Sequence, residues 1–180
     1  MSASKRGLIQ PDLRFLFSKP AHFIALGFGS GLPRKAPGTF GTLAALPLYA
    51  LMLWLGLGVN AILAVCAVTF LIGWWAAHVT GHDLGVHDHG GIVIDEIVAM
   101  WLVLLLVPTP GAGSMPLAEI ALWWGIAFAA FRLFDIWKPW PIRFFDARVP
   151  GGFGVMLDDI LAAVYAGLLV WLLQAAAPLV

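Results

Sequence analysis

Ala61-Ile-Leu-Ala-Val-Cys-Ala-Val-Thr-Phe-Leu-Ile-Gly-Trp-Trp-Ala-Ala-His78 runs for 18 residues without an acid, a lysine or an arginine. A helix of that length rises about 27 Å, close to the roughly 30 Å of bilayer hydrocarbon. An open strand could not satisfy its backbone in lipid, so the stretch predicts a membrane helix. Four further apolar stretches flank it, Leu43–Gly58, Ile92–Val107, Leu117–Phe134 and Ile160–Ala177. The first is short and carries Pro47, and the third is short with Asp95 and Glu96 near its start. Together they predict an all-α polytopic membrane protein, a bundle of about five hydrophobic helices. The whole chain agrees: 61% of its 180 residues are hydrophobic and 11% charged, with a mean hydropathy of +0.92. A soluble chain averages about 45–50% apolar and about 25% charged. The length fits one domain over 1–180, with 1–42 forming an N-terminal interfacial segment and a glycine-rich loop.

Charge is balanced, with 10 Lys plus Arg against 10 Asp plus Glu, so nothing points to nucleic acid. The nine Trp suit interfacial anchors, and the single Cys66 cannot form an intramolecular disulfide. Asp12, Arg14 and Lys19 interrupt the N-terminus, which reads as an interfacial segment over Leu13–Phe23 and not as a cleaved signal. With five spans, the N-terminal segment, the loop Val79–Gly91 and the loop Asp135–Asp159 share one side. That side receives Lys5, Arg6, Arg14, Lys19, Arg34, Lys35, Arg132, Lys138, Arg143 and Arg148, and the positive-inside rule makes it cytoplasmic. Nearly all the acids join them, leaving Glu119 toward the opposite face, where a helix N-terminus accounts for it.

Four polar constellations punctuate the apolar chain. Gly27–Thr42 (GFGSGLPRKAPGTFGT) holds Arg34, Lys35 and Thr39 before a helix, and backbone N–H groups there could meet an anion. A tight turn entering the membrane accounts for the same residues. His87–Glu96 ends on Asp95 and Glu96 at the mouth of an apolar helix, where paired carboxylates are costly unless compensated. His87, Asp88 and His89 have metal-ligand chemistry, although a plain polar loop explains them better. Phe131–Arg143 places Asp135 near a helix C-terminus, where a carboxylate is disfavoured, with Arg132 and Lys138 three residues to either side. Gly151–Asp159 brings Asp158 and Asp159 to the start of another apolar stretch, where one of them could be an N-cap.

Carboxylates brought to one membrane face repel each other, and a divalent cation relieves the repulsion. All-oxygen ligands favour a hard ion, Mg²⁺ first, then Mn²⁺, with Ca²⁺ behind. The candidate metal ligands are Asp95, Glu96, Asp135, Asp158 and Asp159, with Asp88 as a weaker one. Arg132, Lys138, Arg143 and Lys35 suit a phosphorylated group. Read from the residues alone, the expectation is Mg²⁺-assisted phosphoryl chemistry at the cytoplasmic interface.

GFGSGLPRKAPGTFGT (27–42), HDHGGIVIDEIVAMW (87–101), FRLFDIWKPWPIR (131–143) and GGFGVMLDD (151–159), in this order, closely resemble the phosphatidylglycerophosphatase A family. The resemblance implies a bacterial inner-membrane enzyme, multi-pass, with its site facing the cytoplasm. It would require Mg²⁺ and convert phosphatidylglycerophosphate to phosphatidylglycerol and phosphate. It implies catalytic roles for Asp95, Glu96, Asp135, Lys138, Asp158 and Asp159. Arg34, Lys35, Thr39, Arg132 and Arg143 are the expected phosphate-binding residues. The nucleophile is either a metal-activated water or one of the aspartates. Two other classes compete: a small ion or proton transporter with acids along its pathway, and a membrane assembly subunit whose acids tolerate alanine.

Overall fold

The computed structural model describes residues 10–86, 88–109 and 115–176. Lys5, Arg6 and His87, which entered the charge and loop readings, lie outside the described residues, as do 110–114 and Ala177. All regular structure among the described residues is helical. Two short helices open the chain, α1 (Leu13–Leu16) and α2 (Pro20–Ala25). The main elements are α3 (Pro37–Trp54), α4 (Val59–Leu84), α5 (Ile94–Leu104) and α6 (Leu117–Trp137). A short α7 (Ile142–Asp146) leads into α8 (Gly151–Ala176).

Each of the five apolar stretches becomes a helix, but three of them, α4, α6 and α8, are long and apolar enough to cross a bilayer. The expected count of about five is corrected on that ground. α3 is 18 residues long and contains Pro47. α5 has only 11 residues and rises about 16 Å, half the hydrocarbon thickness. It need not span, because protein surrounds it. Every residue from Ile94 to Trp101 is buried, the expected state for a helix that is apolar all round. The Trp101 indole N–H donates to the Ala45 carbonyl at 3.0 Å, tying α5 to α3. Lipid-facing side chains such as Val68, Leu71, Ile136, Val164 and Leu172 are correspondingly exposed on the three long helices.

The largest shift in boundary concerns α8, which begins at Gly151, nine residues before the expected Ile160. Gly-Gly-Phe-Gly reads locally as a loop, yet here it is helix, and Gly152 lets α4 come very close. A Cβ on Gly152 would run into the Trp74 carbonyl and the His78 backbone. Asp158 and Asp159 therefore lie two turns inside α8, and N-capping does not explain them.

Helix direction alternates around one end of the bundle. The N-termini of α5 and α8 and the C-terminus of α6 meet at a shared acidic pocket. The start of α3 closes on Glu96 through Gly38 and Gly41, and the end of α4 borders Gly151 and Gly152. The N-terminal segment is pinned to the same end: the Val93 N–H donates to the Ala25 carbonyl at 2.9 Å, and Lys19 and His22 reach Asp83 at 2.5 and 2.8 Å. Replacing Gly152 by Val should push α4 and α8 apart and cost about 1–3 kcal/mol, the usual cost of overpacking. A thermal midpoint in detergent equal to that of the unmodified protein would contradict this close approach.

Candidate active site

Helix ends carry the acids and helix packing buries them. Asp95 and Glu96 occupy the first turn of α5, Asp135 the last turn of α6, and Asp158 and Asp159 the buried face of α8. These five line one pocket of about 140 Å³ together with Asp88, Lys138, Gly90, Ile92 and Val155. At about 30 Å³ per water, that volume suits a phosphate-sized group and excludes acyl chains. Asp95 and Asp159 are 7% and 3% exposed, at positions where an unpaired charge is expensive.

Two cations compensate the acids directly. The Arg132 guanidinium Nη1 lies 3.0 Å from Glu96 Oε1 and 2.6 Å from Asp135 Oδ2. The same nitrogen donates to Thr42 Oγ1 at 3.5 Å, and that hydroxyl in turn donates to the Gly38 carbonyl at 2.9 Å. Lys138 caps α6 in a left-handed backbone conformation, φ 45°. Its ammonium bridges Asp158 at 2.5 Å and Asp146 at 2.8 Å. Burial alone would pull this ammonium down, but Asp158 and Asp146 more than reverse that and hold it above the ordinary lysine value. Lys138 is therefore charged at any physiological pH.

The compensation is incomplete. Six carboxylates line the pocket against the two cations that touch them. Asp95 Oδ1, Glu96 Oε2, Asp158 Oδ1 and Asp159 Oδ2 are buried and receive no hydrogen bond from the described residues. Among the described residues, no three His, Cys, Asp or Glu side chains are drawn together as a ready-made chelate. The donor set still fits a hard cation: it is all oxygen, it carries excess negative charge, and its orphaned oxygens lie in one pocket.

All six sequence-predicted catalytic residues thus come together, and the phosphate-binding group divides. Arg132 sits among the acids. Arg143 lies in a neighbouring groove, which meets the acidic pocket at Lys138. Arg34 and Lys35 are exposed on the turn before α3, and Thr39 is half-buried; none of the three lines the pocket. Gly38 and Gly41, in the first turns of α3, serve close approach: a Cβ at Gly38 would strike Glu96 Oε1, and one at Gly41 would strike Val93 and Glu96 Oε2. Sequence reading missed Thr42 and Asp146. Both were visible as polar residues, but nothing local marked Thr42 as a partner of Arg132 or Asp146 as a partner of Lys138.

A family match decides what such a pocket belongs to. The family described as phosphatidylglycerophosphatase A matches residues 23–174, which include all of these side chains. The chain belongs to the phosphatidylglycerophosphatase A family. A phosphatidylglycerophosphatase A of Escherichia coli (strain K12) is 44% identical over 157 residues, 87% of this chain and 85% of that one. One of Haemophilus influenzae is 46% identical over 156 residues, covering 86% and 89%. A protein of Bacteroides thetaiotaomicron named as a putative phosphatidylinositol-3-phosphatase is 40% identical over 152 residues, covering 82% and 89%. No solved structure matches.

Acids held together in this way repel one another, so each costs stability in the absence of a counter-ion. Asp159→Asn deletes one buried charge and supplies a donor to the orphaned oxygens beside it. In chelator the variant should melt several degrees higher, on the scale of roughly 2–4 °C per kcal/mol for a chain of this size. A lower midpoint would mean that Asp159 holds the fold together.

Proposed function

We propose that the protein is a Mg²⁺-dependent lipid phosphatase. It hydrolyses the terminal phosphomonoester of phosphatidylglycerophosphate, giving phosphatidylglycerol and inorganic phosphate, at the cytoplasmic face of a bacterial inner membrane. The observation that carries this reading is the convergence of Asp95, Glu96, Asp135, Asp158 and Asp159 with Lys138 in one phosphate-sized pocket. Relatives named for this activity, matched over most of both chains, support the substrate. The third relative's name also denotes a lipid whose headgroup carries a phosphomonoester beyond a phosphodiester.

Asp95, Glu96, Asp158 and Asp159 would hold Mg²⁺ through their orphaned oxygens, with Asp135 and Asp88 at the margin. The ion, when bound, supplies Lewis-acid polarisation of the phosphoryl group. This chain's own residues do the rest. Lys138, in the pocket lining, offers N–H donors to the phosphoryl oxygens as charge develops on them, and Arg132, paired with Glu96 and Asp135 outside that lining, adds positive charge nearby. Asp146 and Asp158 hold Lys138 at the pocket wall, and Asp135 and Glu96 hold Arg132. The terminal phosphate enters from the helix ends while the acyl chains stay beside α6 and α8 in lipid. One-sidedness also argues against the transporter reading, because a pathway needs polar groups through the depth of the spans.

Purified protein with Mg²⁺ should release phosphate from phosphatidylglycerophosphate, and EDTA should abolish release until Mg²⁺ is restored. Asp95→Asn keeps size but removes charge, and should lower kcat/KM by about 100-fold or more while membrane insertion is unchanged. Full activity in EDTA, or in Asp95→Asn, would defeat the metal-phosphatase reading.

Orientation has a separate readout. A cysteine at Ser30, on the turn before α3, should resist impermeant thiol reagents in intact cells and react in inverted vesicles. Labelling in intact cells would place the site on the other face.

A further inference from the structure

Beside the acidic pocket lies a second, larger one of about 610 Å³, lined by Trp137, Lys138, Pro139, Trp140, Arg143, Phe144, Ala147 and Arg148. It occupies the corner where α6 ends and α7 begins. Its indoles stand out from the bundle, Trp137 at 66% and Trp140 at 79% exposure, as amphipathic rings do at headgroup depth. Two guanidinium groups share the groove. Arg148 lies flat over the Phe144 ring, 3.9 Å from its centroid. The acid that α7 offers at i+3 from Arg143 is Asp146, and Asp146 is committed to Lys138 at 2.8 Å. Neither Arg143 nor Arg148 forms an ion pair with a carboxylate among the described residues, where the nearby pairs are made by Arg132 and Lys138.

We infer that this groove is a binding site for the phosphodiester of the substrate lipid, contacted by Arg143 and Arg148, with Trp137 and Trp140 against the glycerol backbone. The inference rests on the lipid-phosphatase reading and deepens it. Lys138 is the hinge of the argument, because it lines both the groove and the acidic pocket. A ligand with two anionic groups a headgroup apart can therefore place its terminal monoester among the acids and its internal diester at the arginines. The two sites differ in chemistry as their tasks require. In the groove Arg143 and Arg148 have no carboxylate partner among the described residues, and no acid is in its lining, so it binds an anion and leaves it intact. Guanidinium groups match phosphate oxygens bidentately, and aromatic faces accept the apolar part of the backbone. Anchoring at the diester would position the scissile monoester, spending binding energy remote from the reacting bond.

The test uses the purified full chain and probes that carry one group at a time. Dihexanoyl phosphatidylglycerol has the diester and no monoester, and inorganic phosphate mimics the monoester alone. In the double variant R143Q/R148Q, calorimetric affinity for dihexanoyl phosphatidylglycerol should fall about tenfold or more, the scale of lost charge-assisted contacts. KM for phosphatidylglycerophosphate should rise by a similar factor, with the loss falling on KM and not on kcat. Inhibition by inorganic phosphate should stay within about twofold, which also certifies the acidic pocket as intact. Dihexanoylglycerol, which lacks phosphate, should bind both proteins equally. Unchanged affinity for dihexanoyl phosphatidylglycerol, no binding of it by the unmodified protein, or an equal loss toward inorganic phosphate would each overturn the inference. If the unmodified protein binds dihexanoyl phosphatidylglycerol through these arginines but releases no phosphate from phosphatidylglycerophosphate, the groove stands and the phosphatase reading falls.

Discussion

Six carboxylates at one end of a hydrophobic bundle, touched by two cations among the described residues, set the terms for everything around them. Such a concentration of like charge in a poorly solvating environment is unstable by itself, since each group raises the cost of ionising the next. The fold meets part of that cost with Arg132 and Lys138, each spread over two carboxylates from different stretches of chain. The helices then have to end where they do. α6 must stop at Lys138, α8 must begin early enough to carry Asp158 and Asp159 inward, and α3 must be bare at Gly38 and Gly41 for Glu96 to sit between it and Arg132.

Much of this was legible in the sequence, for identifiable reasons. Uncharged apolar runs are long-range features of composition, so the helical membrane class could be read directly. An acid pair beside Ile97-Val-Ala-Met-Trp is costly without a partner, so Asp95 and Glu96 stood out for a physical reason. The misreadings arose where tertiary packing overrode local signal. Gly151-Gly-Phe-Gly looks like a loop and is helix, with Gly152 letting the α4 backbone come close and Phe153 packing on Phe70 and Trp74 of that helix. Ile92–Val107 looks like a short span and becomes an enclosed helix of 11 residues, because burial by protein and burial by lipid select the same apolar residues. The basic glycine-rich loop suggested an anion cradle from composition alone. Only coordinates could show Gly38 and Gly41 turned toward a carboxylate, with Arg34 and Lys35 exposed.

The polar end is also divided in chemical character. Lys138 belongs to two pockets of opposite character, one rich in acids and one basic and aromatic. A single side chain at a left-handed helix cap thus forms the partition between them, and its position depends on Asp146 from α7 as well as Asp158 from α8. The short α7, which looks like a mere connector, lines the groove through Arg143 and Phe144 and holds Lys138 in place through Asp146.

The enclosure of α5 bears on how the chain is made. A helix of 11 residues carrying two acids is a poor substrate for membrane insertion, where an acid near mid-depth costs about 2.5–3.5 kcal/mol. Its burial requires neighbours, and a principal one is α8, which follows it in the chain. Asp95 and Glu96 share a pocket with Asp158 and Asp159 only once α8 is packed beside α5, so the acidic centre is assembled from two distant stretches of chain. A truncated chain would hold its first acids but have no site.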